Sequence, residues 1–221
     1  MINRDPELAN SMKDGIKPGY ELPWERLKDN VKLRPKSLSV VTGINGHGKS
    51  QLLGQIILHC IKQGAKACIA SLEMNPIDLF KRLIRQSTGI KLPPDDYSKN
   101  VFGWFKGKLF LFDHVGSVDT GHLLEVFTYA SRKYGIDIFV VDSLMKCGIY
   151  GDDYNEQKRF VDKLCEFKDV NDCHVYLVAH PRKGEDEYAA PGKMDISGTA
   201  DITNLADYCF TVWRNTIKED K

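Results

Sequence analysis

At 221 residues, with 42% hydrophobic and 28% charged side chains, the chain has the composition of a globular protein with one sizeable core. Its apolar runs are too short to span a bilayer, and its N-terminus, MINRDPELANSMKDG, carries acidic residues and no apolar core stretch, so it fits neither a secretory nor a transit peptide. A formal charge of +1 excludes a global basic field, and six scattered cysteines without a C-x-x-C pair read as reduced, mostly buried thiols of a cytosolic protein.

Residues 1–34 are polar and punctuated by Pro18, Gly19 and Pro23, with Pro35 just beyond; a short helix near Asp5 to Lys13 and an apolar anchor at Trp24 and Leu27 suit an arm or linker. From residue 35 to 221 strand and helix signals alternate, which predicts an α/β domain with a mainly parallel sheet flanked by helices. The first strand, Leu38 to Thr42, runs into Gly43-Ile44-Asn45-Gly46-His47-Gly48-Lys49-Ser50, which meets every fixed position of the phosphate-loop pattern G-x-x-x-x-G-K-[ST]. A helix from Lys49 to Gln63 follows, so the loop has strand before and helix after, as its chemistry requires. Glycines let successive N–H groups converge on an anion at a helix N-terminus. Lys49 is expected to reach the β/γ-phosphates of an NTP, Ser50 to ligate Mg²⁺, and the loop through Gln51 to make the nucleotide contacts.

The second strand, Ala67 to Ser71, leads into Ser71-Leu72-Glu73-Met74 and a helix from Ile77 to Thr88. Glu73 therefore reaches the C-terminal sheet edge that carries Lys49 and Ser50, as a candidate general base. A strand from Leu109 to Asp113 and a helix from Thr120 to Lys133 precede Ile138-Phe139-Val140-Val141-Asp142. This buried strand delivers Asp142 to the metal opposite Ser50, with Asp113 a weaker rival. Many ring-forming motors place the activating glutamate directly after that aspartate; here Ser143 stands there, so the base must come from elsewhere. After a helix from Glu156 to Val170, the strand His174 to Ala179 presents His180, placed to report a γ-phosphate. Cys173, His174 and His180 lie along that strand with alternating faces, an unsuitable arrangement for zinc. The polar stretch Arg182 to Asn204 offers Lys183, Lys193, Gly198 and Thr199 to a phosphate backbone, although Glu185-Asp186-Glu187 opposes the charge argument. A last strand spans Tyr208 to Trp213.

Together, GINGHGKS, SLEM (71–74), VVDSL (140–144), VAHPRK (178–183), SGTADITNLAD (197–207) and VWRN (212–215) resemble the ATPase domain of DnaB-type hexameric replicative helicases. The resemblance runs from about Trp24 to Asn215 and is strongest to the branch containing phage primase-helicases and Twinkle. It implies a RecA-like fold, ATP or dTTP with Mg²⁺, single-stranded DNA, 5′-3′ unwinding, a hexameric ring, and primase or other replisome partners in a bacterial or phage-infected cytoplasm. By resemblance Glu73 is the catalytic glutamate, His180 the γ-phosphate sensor, and Arg214 lies near the nucleotide base. The loops after Asp142 and around Gly198 and Thr199 face the DNA, and the N-terminal arm packs on the adjacent subunit. The family's arginine-finger segment would follow VWRN, yet the chain stops at Lys221, which implies weak hydrolysis unless Arg182 or Arg214 substitutes; no primase portion is present. Two rival readings share the core: a RecA-type recombinase, and a truncated helicase-like module that binds nucleotide to regulate assembly.

Overall fold

The computed structural model describes residues 19–28, 30–150, 152–182 and 189–215. The expected helix near Asp5 to Lys13, Lys183 and Glu185-Asp186-Glu187 lie outside them. The described residues open with a short antiparallel pair, β1 (Tyr20–Glu21) and β2 (Lys32–Leu33). The adjoining Leu22 and Leu33 are buried in the core, and Glu21 exchanges backbone hydrogen bonds with the Gln63 side chain at 2.9 Å each. This part of the expected arm therefore packs on the domain.

The remaining strands are β3 (Ser37–Thr42), β4 (Ala67–Ser71), β5 (Leu109–Leu111), β6 (Ile138–Asp142), β7 (His174–Val178) and β8 (Tyr208–Thr211). They form one sheet in the order β5-β4-β6-β7-β3-β8, with every neighbouring pair parallel. Strands β5, β7 and β8 stop short of the expected Asp113, Ala179 and Trp213. Helices α1 (Lys49–Lys62), α2 (Pro76–Thr88), α3 (Asp95–Phe105), α4 (Thr120–Tyr134), α5 (Tyr154–Val170) and a single turn, α6 (Asp201–Asn204), connect them.

Period-two alternation splits the core between the two sheet faces. Phe139 and Val141 of β6 and Val175 and Leu177 of β7 join Leu123 and Phe127 of α4 and Phe160, Leu164 and Phe167 of α5. Their neighbours Ile138, Val140, Tyr176 and Val178 pack with Ile56, Ile57 and Ile61 of α1, Leu79 and Leu83 of α2 and Phe105 of α3. Each such side chain contributes about 1.5–3 kcal/mol on burial, which is why both faces must be covered.

Helix ends are set locally. The Asn75 side chain accepts from Ile77 N–H with Pro76 at the first position, Asp119 accepts from His122 N–H, and Asp153 accepts from Glu156 N–H. Cys60, Cys68, Cys147 and Cys173 are buried, and burial pushes each thiol up to about 12. His174 is accounted for by structure: Ser39 Oγ donates to its Nε2 and its Nδ1 donates to the Arg34 carbonyl, both at 2.9 Å.

The strand order fixes where chemistry gathers. Strands β4, β6, β7 and β3 are consecutive neighbours, and each ends at the same edge in a polar segment. Glu73, Asp142-Ser143, His180 and the glycine loop thereby meet, although they are spread across more than a hundred residues of sequence.

Candidate active site

The glycine loop leaves β3 and is held against the exit of β8. A Cβ placed on Gly43, whose φ is 148°, would lie 2.1 Å from the Val212 carbonyl oxygen, so only glycine fits there. Val212 N–H donates to the Thr42 carbonyl at 2.8 Å, and Arg214 N–H donates to His47 Nδ1 at 3.1 Å. Arg214 is thus beside the loop through its backbone.

A cleft of about 400 Å³ lies over the loop, lined by Asn45, Gly48, Lys49 and Ser50 on one side and by Glu73, Asp142 and His180 on the other. Asp113 is not among the lining residues. Lys49 is buried and folded back, its Nζ donating to the Gly43 carbonyl at 2.6 Å and the Ile44 carbonyl at 3.3 Å. Burial pushes its ammonium down, against the opposing pull of Asp142 and Glu73.

Ser50 Oγ donates to Asp142 Oδ2 at 2.7 Å. Burial pushes the Asp142 carboxyl above its ordinary value, and the Ser50 hydrogen bond offsets only part of that. A hydroxyl and a carboxylate at this separation are the hard oxygen donors that suit Mg²⁺.

Glu73 stands one strand over and is tied differently. Ser143 Oγ donates to Glu73 Oε1 at 2.6 Å, and His180 Nε2 lies 3.3 Å from the same oxygen and 3.2 Å from Ser143 Oγ. Burial works to raise the Glu73 carboxyl, but the Ser143 and His180 hydrogen bonds, with the charges of His180 and Lys146, outweigh it and hold the group below the ordinary glutamate value. Glu73 is accordingly a carboxylate at neutral pH, able to accept a proton.

Two contributors are not apparent from sequence. Arg82 of α2 lines the cleft, half-buried, with no hydrogen bond or ion pair to the described residues. Ser143, read from sequence only as a missing glutamate, is buried at the centre of the Glu73–His180 cluster.

The expected DNA-contacting residues lie on a separate segment. Lys193 is exposed on a short turn, Lys193–Asp195. At Gly198, φ is 109° and an added Cβ would lie 2.4 Å from Gln157 Oε1, which itself accepts Thr199 N–H at 3.0 Å. Thr199 Oγ1 donates to Asp201 at 3.1 Å and Arg182 donates to the Gly198 carbonyl at 3.4 Å, so this loop is docked on α5.

A family profile described as an AAA domain matches residues 21–186. The chain belongs to that AAA domain family. A relative in Arabidopsis thaliana, "Twinkle homolog protein, chloroplastic/mitochondrial", is 27% identical over 222 aligned residues, covering 91% of this chain and 31% of that protein. The AAA chain therefore spans about a third of that relative's length. A solved structure of an ATPase domain superposes with a TM-score of 0.64 at 16% identity, covering 79% of this chain and 68% of the other. Its likeness establishes the RecA-like fold implied by the family resemblance, with the mainly parallel α/β sheet expected from the alternation of elements. No helix among the described residues of the AAA domain is long and apolar enough to cross a membrane.

Proposed function

We propose that this chain is the ATPase motor domain of a DnaB-type replicative DNA helicase, coupling Mg·NTP hydrolysis to movement on single-stranded DNA and duplex unwinding. The observation that carries this reading is the meeting of Lys49, Ser50 and Asp142 with Glu73 and His180 at one sheet edge. In this mechanism Lys49 turns from the loop carbonyls to the β/γ-phosphates of ATP or dTTP, and the loop N–H groups from Gly43 to Gln51 hold the phosphate chain. Ser50 and Asp142 would hold Mg²⁺, which would supply charge neutralisation of the phosphate oxygens. Glu73 orients the attacking water and accepts its proton, while His180 exchanges its contact with Glu73 for one with the terminal phosphate. Arg214, anchored to His47, borders the nucleoside side.

The division into an arm at 1–34 and a motor domain at 35–221 belongs to the same reading, as does a hexameric ring whose neighbours complete each site. Single-stranded DNA is assigned to the segment with Lys183, Lys193, Gly198 and Thr199 and to the loop after Asp142. Primase or other replisome proteins are the proposed partners, and the cytoplasm of a bacterial or phage-infected cell the proposed location.

The test is single-stranded-DNA-stimulated hydrolysis of ATP and dTTP by the wild type and by Lys49→Ala over a range of protein concentrations. Stimulation that rises with protein concentration and falls at least about 100-fold in the variant is expected, because the lysine carries phosphate-charge stabilisation. Equal rates in the two proteins would overturn the assignment.

A further inference from the structure

We infer that Ser143 is a positioning residue for the hydrolytic step: its hydroxyl keeps Glu73 aimed at the attacking water when His180 leaves for the terminal phosphate. This rests on the nucleotide-hydrolysing reading above. Ser143 follows the metal-site aspartate directly, is fully buried, and lies within hydrogen-bond reach of side chains from both flanking strands, Glu73 after β4 and His180 after β7.

A count of protons orders the cluster. An ionised carboxylate only accepts, and a serine hydroxyl has one proton to give. The 2.6 Å separation assigns that proton to Glu73 Oε1. Ser143 Oγ can then only accept from His180, so Nε2 carries a proton and, in the neutral form of the ring, Nδ1 is the bare acceptor. Nδ1 is indeed buried with no hydrogen-bond partner among the described residues. The single N–H of His180 is thus engaged with Ser143 and Glu73, and an arriving phosphate oxygen competes for it. Once His180 turns away, Glu73 loses one of its two donors and the Ser143 hydroxyl remains.

That remaining hydrogen bond is anchored at both ends. The Ser143 carbonyl accepts from Lys146 N–H at 3.0 Å and from Cys147 Sγ at 3.6 Å, fixing the turn that carries the hydroxyl. Leu72 N–H donates to the Asp142 carbonyl at 2.7 Å, locking the residue before Glu73 to the residue before Ser143. A serine where many ring motors have glutamate thus directs a carboxylate supplied by the adjacent strand.

The test pairs kinetics with a measurement that needs no turnover. Ser143→Ala should lower kcat by about 10- to 100-fold while KM and nucleotide affinity stay within about 2-fold, and should add nothing to Glu73→Gln in the double variant. In the nucleotide-free wild type at about pH 8, ¹⁵N NMR should find His180 as the Nε2–H tautomer, with its Nε2 resonance displaced in Ser143→Ala and the melting temperature nearly unchanged. An unaltered or raised kcat in Ser143→Ala, a full additional loss in the double variant, or the Nδ1–H tautomer would overturn the assignment. A wild type that binds no NTP would instead remove the parent reading, a result distinguishable because Lys49→Ala would then match it.

Discussion

Asp142 and Glu73 leave neighbouring strands at the same edge, yet their surroundings push their carboxyls in opposite directions, up for Asp142 and down for Glu73. Burial dominates at Asp142, where Ser50 supplies a hydrogen bond and a metal would supply charge. At Glu73 the donors outweigh burial, which suits a group that must be ionised before it can take a proton. His174, on the same sheet but away from the cleft, gives a cleaner pH signature. Burial pushes its imidazole down from 6.5 to about 4, so the unfolded chain binds the proton more tightly. Its contribution to stability is present above pH 6.5, falls as pH drops below that value, and is fully lost below about 4, a total of about 3 kcal/mol at 1.36 kcal/mol per unit. His174→Gln should abolish that fall. Urea unfolding of both proteins at stepped pH measures it, and a wild-type-minus-variant difference that is flat across the window would refute the account.

Helix α4 shows what local sequence contributes at the scale of an element. Asp119 caps it through His122 N–H and Gly135 ends it in the left-handed conformation. Asp119→Ala should cost about 1 kcal/mol of stability, since the cap satisfies one orphan N–H, while leaving NTP hydrolysis unchanged. Chemical denaturation with a parallel rate assay checks both halves. Caps, glycines and apolar periodicity made α1, α2, α4 and α5 and every strand of the large sheet legible in the sequence. Helix α3 was not legible, because its apolar residues crowd into Val101, Phe102, Trp104 and Phe105, Phe105 alone is fully buried, and Gly103 interrupts them. The β1–β2 pair escaped because two-residue strands carry no period. At the site, Lys49, Ser50 and Asp142 could be read from a phosphate loop and a buried strand ending in a carboxylate. The bridging of Glu73 and His180 by Ser143, and the approach of Arg82 to the cleft, depend on strand adjacency and helix orientation, which spacing along the chain does not encode.

Across the whole molecule the charge of +1 means that the proposed attraction to single-stranded DNA would fall to local groups such as Lys146 and Lys193. Binding to single-stranded DNA should weaken with salt by a log–log slope of about −0.7 per phosphate neutralised, and Lys193→Ala should make that slope shallower by about one contact. Fluorescence anisotropy across about 50–200 mM salt reads it, and an affinity indifferent to salt would exclude the phosphate-backbone mode. The sheet order has a further, mechanical meaning. Strand β7 is flanked on both sides, with five register pairs to β3 and four to β6; His180 follows it at the sheet edge, and the segment docked on α5 lies further along the chain. A tug on that segment loads two parallel ladders in shear together. The strand cannot be drawn out along its axis without stretching the supports of the phosphate loop and of Asp142 at the same time. Tension would therefore be felt as strain shared across the catalytic edge.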